Sequence, residues 1–337
     1  MSRRGMKPDM NQSIFELPPT STDRFVFFGE VLGLILGTPQ SRIESTPSGT
    51  ISIAGAESNT AIALARLGYS CQFNTAVGHD PFGERILRTL RAERLDVSNV
   101  TPSRRAPTGL LVRNCFAWRE PDVFYYRKDT AFLSESLAVA ERVKFQPGDI
   151  FFTTGITLAL GPQSREAGSE LMRRAYAEKV PVYFDANFRS KLWTREAFRE
   201  CLTPLLPSIH TLFVGIEEGR ILTGATKVAD IAKKCLQGGV QEILIKDGGK
   251  GAWQFRKGQA PLHGKAFKVA PIDTIGAGDA FNAGFLSARR EKLSRPLTLR
   301  TANAMGAMAC MGQGDWESMP TRSELGSFVL GETQARR

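Results

Sequence analysis

Residues 149–155, DIFFTTG, begin a stretch in which short apolar runs alternate with helical ones; the later runs are VPVYFDAN (180–187), TLFVG (211–215) and EILIKDGG (242–249). Each run is nearly continuously apolar rather than alternating, as a strand buried on both faces must be. Between the first two lies SREAGSELMRRAYAEK (164–179), which reads as a helix. Strands alternating with helices imply an α/β fold with a largely parallel sheet covered on both faces. Ligands of such sheets bind beyond the carboxyl ends of the strands. FDAN, KDGG and the later DTIGAGD all fall at or just past such ends.

Working outward, FVFFG (25–29) reads as a short buried strand stopped by glycine, and SNTAIALARLG (58–68) as a helix with its apolar residues on one face and a terminal glycine. GLLVRNCFAW (109–118) and DVFYYR (122–127) are β-prone, with REPD (119–122) as the turn between them. Together with residues 40–54, of which 40–50 are polar and turn-rich, they predict a small sheet apart from the main body, a lid built from 40–54 and 108–128. Residues 1–22 lack periodicity and read as a flexible tail, 23–326 as the domain, and 327–337 as a C-terminal tail. No short internal repeat is present.

Composition excludes several classes. The chain has 337 residues, 42% hydrophobic and 23% charged, as ordinary globular domains do. No run reaches about 18 apolar residues, so no membrane span is implied. The basic start MSRRGMKPDMNQS has no apolar core behind it and is not a secretory signal. Five scattered cysteines (71, 115, 201, 235, 310) and three histidines (79, 210, 263) offer no zinc-site spacing. They suit a reduced, cytoplasmic compartment. The net charge of +10 is dispersed, which reads as a basic surface that also attracts anionic substrates rather than as a nucleic-acid-binding stripe.

The chemistry concentrates in Asp273-Thr-Ile-Gly-Ala-Gly-Asp279, followed by AFNAGFLSARR. The second stretch reads as a helix with Phe281, Phe285 and Leu286 inward and Arg289 and Arg290 in its last turn, as the helix dipole prefers. Gly276, Ala277 and Gly278 then lie at a helix N-terminus, where backbone N–H groups lack intrahelical partners and form an anion hole for a phosphoryl group in transfer. A carboxylate at the same point opposes phosphate binding, so Asp279 makes sense as the base that takes a proton from an incoming hydroxyl.

The string D-T-x-G-A-G-D-A-F over 273–281 resembles the C-terminal signature of the ribokinase (PfkB) family. Other stretches resemble that family in the same order. Ala54-Gly-Ala-Glu-Ser-Asn59 resembles its G-G-x-x-x-N, with Ala54 in place of the first glycine. Val77-Gly-His-Asp-Pro-Phe-Gly83 resembles V-G-x-D-x-F-G, and Ile245-Lys-Asp-Gly-Gly-Lys-Gly-Ala252 resembles V-K-x-G-x-x-G. The resemblance covers about residues 24–325. It implies a three-layer αβα ribokinase-like fold with a small β-sheet lid, ATP as donor and Mg²⁺ as metal. It implies nucleotide contacts from Asn187, Lys246, Gly248, Gly251 and Asn303, and sugar contacts from Gly55 and Asn59. The family's N-x-x-E reads Gly215-Ile-Glu-Glu218 here, so the Asn is missing and Glu218 is expected to act on Mg²⁺ through water. Lids in this family often pair, which implies a homodimer.

Phe124-Tyr-Tyr-Arg-Lys128 and Asp185-Ala-Asn-Phe-Arg-Ser-Lys-Leu-Trp193 look like the 2-keto-3-deoxygluconate kinase branch of that family. The resemblance puts Arg127, Arg189 and Tyr125 on an acid sugar, and a carboxylate does call for the bidentate fork of Arg. Leu111 stands where that branch often has Tyr, which keeps a related keto-deoxy sugar or a neutral hexose such as fructose open. A catalytically silent sugar-binding regulator, and a nucleic-acid binder suggested only by the charge, remain as other classes.

Overall fold

A computed structural model describes residues 23–114, 116 and 121–331. The segment 1–22, expected to be a flexible tail, lies outside the described residues, as do Arg119 and Glu120 of the expected REPD turn. In chain order the first elements are β1 (Phe25–Phe28), β2 (Leu32–Gly37), β3 (Gly49–Ala54), α1 (Ala56–Arg66), β4 (Cys71–Gly78), α2 (Pro81–Ala92), β5 (Val100–Ser103), β6 (Leu110–Arg113) and β7 (Val123–Tyr126). The middle of the chain forms α3 (Ala131–Arg142), β8 (Ile150–Thr154), α4 (Gly155–Ala159), α5 (Pro162–Ala177), β9 (Val182–Asp185), α6 (Arg195–Leu202), β10 (Thr211–Gly215), α7 (Ile216–Thr223) and α8 (Val228–Gln237). It closes with β11 (Glu242–Lys246), β12 (Ala252–Arg256), β13 (Leu262–Gly264), α9 (Ala277–Arg290), α10 (Arg295–Ala309) and α11 (Arg322–Leu330).

The apolar runs become the parallel core of a nine-stranded sheet of order β13-β12-β11-β10-β9-β8-β1-β4-β5, in which only the β11–β12 and β12–β13 pairs are antiparallel. Helices α1, α2, α9, α10 and α11 pack on one face. Helices α3 to α8 pack on the other, which completes the three expected layers. Phe25, Val26, Phe27 and Phe28 alternate between the two cores and are all fully buried, which explains why this strand shows no polar face in the sequence. The chain runs outward from β1 to β4 and β5, then returns to β8 and continues the other way. The switch between β1 and β8 opens a crevice at the carboxyl ends of the strands.

A second sheet of order β3-β2-β6-β7 forms the expected lid. Three details differ from the sequence reading. First, β2 (LGLILG) is an interior lid strand, pairing antiparallel with β3 and parallel with β6, although the lid was expected to start at residue 40. Its apolar pattern gave no sign of which sheet it would join. Second, α1 is buried along almost its whole length rather than on one face, because it lies between the main sheet and α9. Third, α11 extends to Leu330, so residues 327–330, expected to be tail, are helical and bury Val329 in the core; 332–337 lie outside the described residues.

Candidate active site

The crevice holds a cavity of about 310 Å³, lined from the lid by Leu111, Arg113, Val123, Tyr125 and Arg127. Strand ends supply its floor. Glu30 follows β1, Asp185 ends β9 with Asn187 and Arg189 beyond it, and Lys246 ends β11. Two helix N-termini complete it, with Gly55 and Asn59 at the start of α1 and Gly276, Gly278 and Asp279 at the start of α9. An adjoining groove is lined by Gly215, Glu217, Arg220, Asp247, Gly248 and Lys250, and it shares Glu218 and Lys246 with the cavity.

Gly276 caps α9 in the left-handed region, φ 78°. A β-carbon there would lie 2.0 Å from the carbonyl oxygen of Asp315, so the turn requires glycine to pack against that backbone. At Gly278 a β-carbon would meet only the Lys246 ammonium, at 3.5 Å, so the fold does not need glycine there. Its absent side chain leaves open space beside a cation. No backbone hydrogen bond engages the amides of Gly276 or Gly278 among the described residues. The Ala277 amide differs from expectation, since it turns back toward the Thr274 carbonyl at 3.4 Å.

Asp279 is buried in the first turn of α9, where its Oδ2 accepts a 2.8 Å hydrogen bond from the Asn59 side chain. Burial pushes its pKa up to about 8; the Asn59 bond opposes the shift, Asp185 adds to it, and Lys246 and Arg189 pull against it. Asn59, expected on the sugar, is thus engaged by the Asp279 carboxylate. Lys246 Nζ donates to Asp185 Oδ2 at 2.9 Å, and Asn282 donates to the same oxygen at 2.6 Å. Burial works against the Lys246 charge, but Asp185 and Glu218 outweigh it and keep the ammonium more firmly protonated than usual. Both Glu218 oxygens accept backbone amides, from Gly215 at 2.5 Å and Phe188 at 3.0 Å, and burial together with Asp185 raises its pKa.

The two arginines expected to recognise an acid sugar are not equivalent. Arg127 Nε and Nη2 both bind Glu30 Oε2, the first at 2.9 Å, and the guanidinium lies 5.2 Å from the Tyr125 ring centroid. Thr130 donates to the other Glu30 oxygen at 2.7 Å, so Arg127 is held and its charge is already met. Arg189 is exposed at the cavity wall and makes no side-chain hydrogen bond or ion pair with the described residues. Glu57, within the quoted AGAESN, is buried beneath the cavity; its Oε1 accepts from the Thr154 amide and from both Thr154 and Thr157 hydroxyls, and burial raises its pKa.

Two expected nucleotide contacts lie outside both clefts. Asn303, on α10, donates to the Gly264 carbonyl at 3.1 Å. Gly251 has φ 98°, and a β-carbon would sit 2.0 Å from Gly264 O, so this glycine serves the tight approach of β12 to β13. Asn187 lines the cavity with a left-handed backbone, φ 38°, and Gly248 lines the groove with open space around it. The sequence reading missed Glu30, Asp185, Arg113 and Asp315. Asp185 was inside a quoted strand-end stretch, but nothing local marked Glu30, Arg113 or Asp315.

The model of the pfkB family of carbohydrate kinases matches residues 24–322. The chain belongs to that family. Among the relatives of this kinase, the 2-dehydro-3-deoxygluconokinase of Bacillus subtilis is 33% identical over 91% of this chain and 95% of its own length. The enzyme of the same name from Thermoproteus tenax is 31% identical over 81% and 83%, and the fructokinase of Vibrio alginolyticus 29% over 82% and 91%. A PfkB protein from Polaromonas matches the kinase at TM-score 0.80 and 28% identity, covering 91% of this chain and all of its own. The 2-dehydro-3-deoxygluconokinase structure from Thermotoga maritima matches at TM-score 0.83 and 21% identity, over 92% and 99%, and establishes the shared fold.

Proposed function

We propose that this kinase transfers the γ-phosphoryl group of ATP to the terminal hydroxyl of a keto-deoxy acid sugar, with 2-keto-3-deoxygluconate the first candidate. One observation carries the acceptor. Of the cations lining the cavity, Arg113, Arg127 and Lys246 are each paired with a carboxylate, and Arg189 is not. An acid sugar supplies the missing anion. The names of the B. subtilis and T. tenax relatives support the same reading.

The chemistry follows from the residues. Ionised Asp279 takes the proton of the terminal hydroxyl, the oxygen attacks the γ-phosphorus, and the bond to the bridging oxygen of ADP breaks. The Gly276 and Gly278 amides and Lys246 stabilise the charge that develops on the phosphoryl oxygens. The groove beside Lys246 and Gly248 takes the rest of the nucleotide. Among the described residues no group of three or more His, Cys, Asp or Glu is placed to hold a metal, and Glu218 already accepts two amides. That set suits Mg²⁺ carried on the nucleotide with its waters, with Glu218 acting through water, and not a cage made by protein alone. When bound, the ion neutralises charge on the β- and γ-phosphates.

A neutral ketohexose is the second reading, favoured by Leu111 in the cavity wall and by the neutralised Arg127. Coupled measurement of ADP release across a panel of acid and neutral sugars tests both. Higher kcat/KM for 2-keto-3-deoxygluconate than for fructose or ribose is expected, and preference for fructose refutes the acid-sugar reading while leaving the kinase intact. Exposed Ile51, Phe124 and Tyr126 on the lid suit a homodimer through that sheet. The free thiols of Cys71, Cys201, Cys235 and Cys310 and the demand for ATP suit the cytoplasm.

A further inference from the structure

Arg113 is the largest fully buried side chain described, and it belongs to the lid. Its Nη2 donates to Asp273 Oδ2 at 2.7 Å, and Nη2 and Nε donate to Asp315 Oδ1 at 2.9 and 3.2 Å. Neither carboxylate belongs to the lid. Asp273 opens the phosphoryl-binding turn, and its two oxygens accept the amides of Ile275 at 3.1 Å and Gly314 at 3.2 Å. Asp315 presents its carbonyl to Gly276 so closely that no β-carbon fits between them. One guanidinium therefore holds together the two chain segments that shape the helix N-terminus where phosphate is to bind.

The same strand reaches the sugar end of the cavity. Leu111 and Arg113 are two residues apart on β6, so they project from the same face of the lid. Leu111 and Arg113 both line the cavity. With the lid where it stands, Arg113 sits between Asp273 and Asp315. Lifting the lid would withdraw it and leave the two carboxylates without their shared cation, an arrangement that would repel or take up a proton and loosen the turn. The lid is fastened to the same loop a second time, because Ser52 of β3 donates to Glu317.

We propose that Arg113 is a positioning residue that makes the phosphoryl-binding turn at Gly276–Gly278 depend on the lid being closed over the acceptor. The proposal rests on the kinase reading above and adds to it a means by which sugar binding readies the turn for transfer. Its described hydrogen bonds all go to Asp273 and Asp315, and it acts through them.

Steady-state kinetics and hydrogen exchange test it together. Wild type is assayed first on the sugar panel, and absence of any phosphorylation refutes the kinase reading separately. In wild type, the accepted sugar without nucleotide should slow exchange across residues 273–279; unchanged exchange overturns the proposal. Arg113→Lys reaches one carboxylate at a time, and the double variant Arg113→Met with Asp315→Asn keeps the net charge of the cluster while the Ile275 and Gly314 amides still hold Asp273. Both should lower kcat by about ten- to a hundredfold, less than the cost of deleting an oxyanion donor outright. KM for ATP should hold within about threefold, since the nucleotide's groove is untouched, and the lysine variant should retain more activity than the double variant. Sugar should no longer protect 273–279 in the double variant. A folded variant with wild-type kcat, or one with only a raised sugar KM, would show that Arg113 merely fastens the lid, and would overturn the proposal.

Discussion

Replacing Arg189 with alanine separates carboxylate recognition from general damage. The side chain is exposed, makes no internal hydrogen bond or ion pair among the described residues, and so leaves nothing behind it unpaired when removed. Its loss should therefore spare stability. A hydrogen bond to a charged group contributes about 1.5–3 kcal/mol, and about 1.4 kcal/mol is tenfold, so kcat/KM for the acid sugar should fall roughly ten- to a hundredfold. Arg189 also pulls the pKa of Asp279 downward, so its removal lowers the ionised fraction of that carboxylate at a given pH for every acceptor alike. That common effect cancels in the ratio of kcat/KM for 2-keto-3-deoxygluconate over fructose, which makes the ratio the quantity to measure. Arg127→Ala is the contrasting variant. It strands Glu30, whose side chain is 2% exposed, and should damage both sugars together along with thermal stability. Coupled ADP-release assays on both sugars, with melting temperatures, give all the terms. A ratio unchanged in Arg189→Ala refutes the argument that this arginine meets the substrate carboxylate.

Three further outcomes follow from the site. Asp279→Asn should keep the fold and ATP binding but lower kcat by roughly 10²–10⁴, the range for a general base; near wild-type kcat in a folded variant rejects the assignment. Because burial raises the Asp279 pKa to about 8 and the base must be ionised, kcat/KM for the sugar should rise about tenfold per pH unit below that value and level off above it. A profile flat from about pH 6 to 9 contradicts this. Gly278→Val should cut turnover far more than melting temperature, since the only atom its β-carbon would meet is the Lys246 ammonium beside the phosphoryl site; a large loss of melting temperature with kcat intact makes the glycine structural.

Much of this protein was legible locally. Continuous apolar runs such as FVFF and EILIK specify strands buried on both faces, because a chain segment reveals its own burial through its own side chains. The turn at 273–279 was legible for the same reason: glycines, a following helix and an aspartate occupy adjacent positions, and helix N-termini bind anions wherever they occur. Local pattern did not assign LGLILG to the lid, because an apolar strand does not carry the identity of its partner. Nor did it decide which charges in the cleft are free. Arg127 and Arg189 are the same residue type in equally suggestive stretches, yet a glutamate 97 residues upstream neutralises the first. Arg113 gave no signal at all, since its partners lie 160 and 202 residues further along the chain. The ionisation of Asp279 likewise rests on burial and on an asparagine 220 residues away. Sequence determined which chemical groups the chain possesses and where its elements begin. Only folding decided which of those groups meet, and an electrostatic site is set by distance and desolvation, which depend on the neighbours that the fold brings close.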